Sequence, residues 1–202
     1  MKYLAIDTSG DYLSVICRNG EVYKTYYSEI AGVKHSVSLM PAIEETAKNC
    51  NLDLKDADFF CSTVGPGSFT GIRIGVATVK GFADAYNKPV LPVTTLEAIA
   101  YTENGKRLAV IDAKHDHFYA QGFNGDMVTI QPKFISKEEL IDLQKEYKIV
   151  ANGLIEGFCD KVPDLIGGLI NAVEGNTSRI TENVDDLHPF YLRLSQAEEG
   201  RK

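Results

Sequence analysis

The sequence predicts an α/β fold: a mixed sheet covered by helices, laid down twice, with the second copy shortened. Two observations predict it. Up to Tyr101 the order reads β-β-β-α-β-α-β-α, three hairpin-linked strands followed by alternating units, and such an order gives a mixed sheet with helices on its faces. Then Leu108-Ala109-Val110-Ile111-Asp112 echoes Leu4-Ala5-Ile6-Asp7, with the aspartates offset by 112 − 7 = 105, and a hairpin pattern follows each.

The elements follow from local chemistry. Tyr3–Asp7 is an apolar run of strand length, turned by Ser9-Gly10-Asp11. Tyr12–Arg18 alternates and meets Asn19-Gly20, a strong hairpin signal, before the tyrosine-rich strand Glu21–Ser28. Val37, Met40, Ile43, Ala47 and Cys50 then fall at helical spacing, with Pro41 in the early turns. Asp58–Val64 is a strand broken by Gly65-Pro66-Gly67, and Ser68 or Thr70 caps a helix to about Tyr86. Pro89–Val93 is a short strand and Thr95–Tyr101 a helix, and Glu103–Lys106 reads as a linker between lobes 1–104 and 105–202. In the second copy Phe118–Phe123 and Met127–Phe134 flank Asn124-Gly125-Asp126. Ser136-Lys137-Glu138-Glu139 is a capping box, Lys148–Ala151 a strand, and Pro163–Glu174 a helix weakened by Gly167-Gly168.

The helix after Gly65-Pro66-Gly67 has an unusual surface. Ile72, Val76, Val79 and Ala83 form one stripe suited to packing on a sheet. The opposite side, Ile74, Ala77, Thr78, Gly81 and Ala85, is small or apolar, and only Arg73, Lys80 and Asp84 make a narrow polar stripe. So little polar surface predicts cover on both sides. Gly75 and Gly81 each cost about 1 kcal/mol against Ala, which close approach of another helix, or of a ligand, would offset.

Composition narrows the function classes. The net charge is −7 and no Lys/Arg run occurs, so the basic face of a primary nucleic-acid binder is not expected. Cys17, Cys50, Cys61 and Cys159 show no C-x-x-C pairing and read as reduced core thiols rather than a disulfide or zinc framework. The opening residues run straight into a strand, and no apolar run is long enough to span a membrane. A cytoplasmic chain without a signal peptide is therefore expected.

Candidate chemistry is thin. The Gly65-Pro66-Gly67 turn lacks the Gly-Lys-Ser/Thr of a P-loop, and Thr70 stands where a dinucleotide fingerprint keeps its last Gly. Asp7 sits where a nuclease of this fold keeps its first carboxylate, but Ser62-Thr63-Val64-Gly65 supplies no acid to complete a metal pair. This strand order is that of the ribonuclease H-like fold, whose duplication is the plan of the actin, Hsp70 and sugar-kinase ATPases. A nucleotide clamp there would use a hairpin of the form Asp-x-Gly-Thr. Here it is Asp7-Thr8-Ser9-Gly10, with the Gly displaced, and Asp112-Ala113-Lys114-His115 has none. Asp7, Thr8 and Ser9 remain candidates for a nucleotide contact, though Thr8 and Ser9 read more simply as turn-formers. His115 and His117 share a strand face but lie at a hairpin tip, so a solvated turn is expected rather than a metal site. Ser68 lacks the elbow of a serine hydrolase.

Five motifs are familiar together: Ala5-Ile6-Asp7-Thr8-Ser9, His35-Ser36 opening a helix, the run from Gly65 to Gly75 (GPGSFTGIRIG), Ile111-Asp112-Ala113, and Pro189-Phe190-Tyr191-Leu192-Arg193. With them the chain resembles the TsaB (YeaZ) family of threonylcarbamoyladenosine biosynthesis proteins; Phe158–Asp186 matches least and is shortened. The resemblance implies a two-lobed, actin/Hsp70-like fold and a non-catalytic scaffold or activator without cofactor or metal. Its implied partners are a TsaD-like transferase and a TsaE-like ATPase. The resemblance also implies a homodimer when the chain is alone, and contact with tRNA only through the complex. It places the partner interface on the helix after GPGSFTG and the helix opened by His35. That set is His35, Leu39, Met40, Thr70, Gly71, Arg73, Ile74, Gly75, Ala77, Thr78 and Gly81. TsaD-like chains carry two metal-binding histidines where this sequence has Thr95 and Ile99, neither able to replace an imidazole ligand. The competing expectation is an active ATPase or small-molecule kinase of the same superfamily.

Overall fold

A computed structural model describes residues 1–29 and 35–193. The chain divides into two compact units, Met1–Thr95 with Ala172–Pro189, and Leu96–Asn171 with Phe190–Lys202.

The first unit carries a five-stranded sheet. Strands β1 (Lys2–Asp7), β2 (Tyr12–Asn19) and β3 (Val22–Glu29) pair antiparallel through hairpins. Helix α1 (His35–Asn49) leads to β4 (Phe59–Thr63), which lies parallel to β1. Helix α2 (Phe69–Tyr86) leads to β5 (Val90–Val93), parallel to β4 in turn. The strand order is β3-β2-β1-β4-β5. Helix α1 packs on β2 and β3, α2 packs on β4 and β1, and the two helices touch each other. The stripe Ile72, Val76, Val79 and Ala83 is buried as its spacing predicts. Ser68 caps α2 by accepting the Gly71 N–H at 3.2 Å, and Asn87 ends it in the left-handed region at φ 51°.

The second unit repeats the plan. Strands β6 (Lys106–Asp112), β7 (His117–Asn124) and β8 (Met127–Ser136) are antiparallel, α4 (Lys137–Leu143) packs on β7 and β8, and β9 (Lys148–Ala151) returns parallel to β6. The order β8-β7-β6-β9 matches β3-β2-β1-β4 strand for strand. Ser136 caps α4 from the Glu139 N–H, as the capping box predicts. Leu108, Val110, Phe118, Ala120, Ile135, Leu140 and Ala151 form one core, with Phe158 at its margin. The short helix α3 (Thr95–Ala100) and α5 (Leu165–Gly175) complete the chain. This is the expected duplicated ribonuclease H-like plan, with one strand fewer among the described residues of the second copy.

Two expectations change. The units do not divide at 104/105, because residues 172–189 belong to the first. The Glu174 carboxylate accepts the Tyr3 hydroxyl (3.2 Å), an Arg18 guanidinium N–H (2.7 Å) and the Tyr23 hydroxyl, and Thr181 pairs with Val90 on the open side of β5. Nor is Glu103–Lys106 a linker. Buried Arg107 donates to the carbonyls of Ala100, Gly105 (2.9 Å) and Gly125 (3.0 Å), which ties this stretch to the β7–β8 turn.

Candidate functional site

Asp7 ends β1 with its side chain inside the protein, 3% exposed. One carboxylate oxygen accepts the Ser9 N–H (2.8 Å), the Ser9 hydroxyl (2.6 Å) and the Thr63 hydroxyl (2.7 Å). The other accepts the Tyr12 hydroxyl (2.9 Å). Four donors on one carboxylate meet the requirement that a buried charge be hydrogen-bonded. Thr95 extends the network by donating to the Ser9 hydroxyl at 2.8 Å.

The start of α2 lies directly on this loop. The Ser68 N–H donates to the Ser9 carbonyl at 2.7 Å, and the Thr8 hydroxyl donates to the Gly71 carbonyl at 2.7 Å. A Cβ at Gly71 would sit 2.0 Å from the Thr8 carbonyl oxygen, and one at Gly75 would sit 2.5 Å from the Thr8 hydroxyl. Neither position has room for one. Asp7, Thr8 and Ser9, the nucleotide candidates, are thus brought together, but as the floor under a helix. Their polar groups are spent on the chain itself, a poor fit to a phosphate.

This corrects three residues of the expected interface. Gly71 and Gly75 are buried against the chain's own loop, and Leu39 is 2% exposed in the core, so none is available to a partner. The rest lie outward or at the margin. Thr70, Arg73, Ala77, Gly81 and Met40 are exposed, and His35, Ile74 and Thr78 are half-buried; a His35 ring nitrogen lies 3.0 Å from the Tyr12 carbonyl. Helix α1 also turns differently from its expected stripe. Leu39, Ala42, Ile43, Thr46 and Ala47 face in, whereas Met40 is 52% exposed and Val37, absent from the expected interface, 67%. An apolar stripe counted from Leu39 and Ala42 would have found this.

At the second aspartate the picture is open. Asp112 is exposed and its carboxylate takes the Lys114 N–H (2.7 Å) and ammonium (2.9 Å), which hold its pKa below the usual value against the upward push of partial burial. Lys114, His115 and Asp116 follow with positive φ. A His117 ring nitrogen lies 2.6 Å from the His115 carbonyl, and the ring stacks on Phe134. Among the described residues no three His, Cys, Asp or Glu side chains are grouped to hold a metal ion. Likewise no helix is long and apolar enough to cross a membrane. Cys17, Cys50 and Cys61 are buried as expected, and Cys159 is half-buried.

Comparison with known proteins agrees with this architecture. The family model for TsaD, tRNA N6-adenosine threonylcarbamoyltransferase, matches residues 24–161, more than half of the chain. The tRNA threonylcarbamoyladenosine biosynthesis protein TsaB of Bacillus subtilis (strain 168) is 27% identical over 223 aligned positions, covering 98% of this chain and 96% of that protein. The chain belongs to this family, in its TsaB branch. The TsaB of Haemophilus influenzae is 35% identical over 122 residues, a match taking in 57% of this chain and only 51%, about half, of that protein. YeaZ from Pseudomonas aeruginosa superposes with a TM-score of 0.77 at 21% identity, covering 95% of this chain and 99% of that one, which establishes the shared fold. The stretch Phe158–Asp186, expected to resemble the TsaB family least, supplies α5 and the Glu174 anchor.

Proposed function

We propose that this TsaB-family chain acts in the formation of N6-threonylcarbamoyladenosine in tRNA, as a non-catalytic subunit that pairs with a TsaD-like transferase and works beside a TsaE-like ATPase. The observation that carries the reading is the filled Asp7 loop. A kinase or ATPase needs backbone amides and a carboxylate free to meet phosphate and metal. Here the Asp7 carboxylate holds four donors of its own chain, and α2 rests on Thr8 and Ser9. Thr95 and Ile99, in place of metal-binding histidines, support the same conclusion; Thr95 spends its hydroxyl on Ser9 and Ile99 is fully buried. The transferase would dock on the outward sides of α1 and α2, where Val37, Met40, Ala77 and Gly81 expose apolar or small surface with few charges. The same surface would serve a homodimer, and tRNA would be reached through the complex in the cytoplasm.

Reconstitution tests the function. TsaD-like and TsaE-like proteins, the threonylcarbamoyl donor and tRNA should give little modification until this chain is added. Met40→Glu and Ala77→Glu, both on exposed positions, should remove that stimulation and co-purification with the transferase while leaving the thermal melt in place. Full modification without the chain would overturn the role. Unchanged co-purification by both variants would overturn the surface.

A further inference from the structure

Four Asn-Gly pairs occur in the chain: Asn19-Gly20, Asn104-Gly105, Asn124-Gly125 and Asn152-Gly153. A glycine has no side chain to shield its main-chain nitrogen, which can therefore reach the amide carbon of the asparagine before it. Attack there closes a five-membered ring. Whether the ring forms depends on the freedom of two groups, the asparagine amide and the glycine N–H, and hydrogen bonds take that freedom away.

The fold restrains the four pairs unequally. Asn19 and Asn124 stand at matching places, 124 − 19 = 105 apart, each ending the second strand of its sheet. Both are held in ladders, Asn19 opposite Lys2 and Val22, Asn124 opposite Lys106 and Met127. Each turn glycine donates its N–H to a carbonyl just ahead of the first strand of its sheet, Gly20 to Met1 at 3.1 Å and Gly125 to Gly105 at 3.3 Å. The Asn19 amide also donates to the carbonyls of Cys50 (3.3 Å) and Asn51 (2.8 Å). Asn104-Gly105 is intermediate. Among the described residues its amide and its glycine N–H make no hydrogen bond, but the Gly105 carbonyl accepts the Gly125 N–H and the Arg107 guanidinium (2.9 Å), which fixes the glycine. Asn152-Gly153 has none of these restraints. It follows β9 directly and precedes Leu154, which is 70% exposed. Among the described residues neither the Asn152 amide nor the Gly153 N–H has a hydrogen-bond partner.

We propose that Asn152 is a site of spontaneous modification, converted to aspartate and isoaspartate in the folded chain ahead of the other three Asn-Gly pairs. The reaction needs only water and a base such as hydroxide. The base takes the Gly153 N–H proton, and the nitrogen bonds to Asn152 Cγ. The Cγ–Nδ2 bond breaks, and the leaving nitrogen takes up a proton and departs as ammonia. Water then opens the succinimide. Opening at Cγ gives aspartate; opening at the main-chain carbonyl gives isoaspartate, whose main chain is one carbon longer. Nothing is oxidised or reduced, and each event adds one negative charge to a chain whose net charge is −7.

The test is ageing of the full chain at mildly alkaline pH, followed by tryptic mapping with mass spectrometry and enzymatic methyl labelling of isoaspartate. The four pairs fall on four different tryptic peptides, so each rate is read separately. Product should accumulate first at Asn152 and next at Asn104. Asn124 and Asn19 should react at least about tenfold more slowly than Asn152, because their hairpins must open first. In urea the four rates should converge. The φ of Gly153 lies outside the left-handed region, so Gly153→Ala is compatible with the backbone. It should slow the reaction at Asn152 at least about tenfold by shielding the nitrogen, with the thermal melt unchanged. The proposal is overturned if another pair reacts ahead of Asn152 in the folded chain, or if Gly153→Ala leaves the rate as it was. Persistence of the same ranking in urea would also overturn it, since the cause would then be local sequence and not the fold.

Discussion

The two aspartates that open the halves of this molecule sit at matching places and live in opposite surroundings. Asp7 is buried, holds four donors and lies under α2; Asp112 is exposed and holds one lysine. The sheets differ in the same sense. The first is continued by β5 and then by Thr181, whereas among the described residues the second has no strand beyond β9. One copy of the plan has turned its hairpin into packing; the other has kept its hairpin tip open to solvent. Duplication thus preserves strand order, which backbone pairing enforces, while releasing the loop at the end of the first strand for a new use.

The strongest way to break that contrast is to push α2 off the Asp7 loop. Gly71→Val would place carbon where the Thr8 carbonyl oxygen stands, 2.0 Å from the new Cβ. The helix cannot yield without losing Ile72 and Val76 from the core, so a loss of roughly 3 kcal/mol or more is expected in urea unfolding. A Gly71→Val protein as stable as the parent would mean that the loop and helix are not packed as described.

Next comes the pair of aspartates. Asp7→Ala removes the buried acceptor of the Thr63 hydroxyl and of both Ser9 donors, at a cost of roughly 3–5 kcal/mol. Asp112→Ala removes only an exposed lysine contact, and its cost should stay within about 0.5 kcal/mol. Equal urea midpoints for the two variants would erase the distinction between the halves.

Much of this was legible beforehand. Apolar runs and Gly, Asn and Pro punctuation located all nine strands and the capped helices α2 and α4, because those signals act within a few residues. What could not be read acts across long separations. Glu174 meets Tyr3, Arg18 and Tyr23 from more than 150 residues away, so nothing local announces that 172–189 belongs to the first unit. The glycines of α2 show the same limit at the site. Sequence says that Gly75 invites a close neighbour; only the fold says that the neighbour is Thr8. In α1 the apolar positions lie on two sides, so spacing alone did not decide that Val37 and Met40 face out.

The Glu174 cluster belongs to the first unit alone and gives it an alkaline weakness. Burial, then the Glu174 carboxylate, pushes the Tyr23 hydroxyl up from its ordinary 10.0 to about 12, and the same causes raise Tyr3. Burial raises the Cys17 thiol from 9.0 to about 12. Between these values the unfolded chain has given up protons that the folded chain still holds. Stability is therefore full below the ordinary values and falls as pH rises toward 12. Urea midpoints should drop across that window, and Tyr23→Phe should make the drop shallower. An identical slope for Tyr23→Phe would show that its hydroxyl is not held by Glu174.

The smallest effect has the opposite sign. Gly81 lies in α2, exposed, with nothing within 4 Å of where a Cβ would be, unlike Gly71 and Gly75 on the same helix. Its backbone is helical, so Gly81→Ala should stabilise the isolated chain by up to about 1 kcal/mol through reduced freedom of the unfolded state. If the proposed partner packs closely over this stretch, the same methyl group should weaken pairing. A thermal melt and a pairing assay on one variant would then move in opposite directions. Were both to improve, the glycine would have no partner to make room for, and the docking surface would have to lie nearer Val37 and Met40.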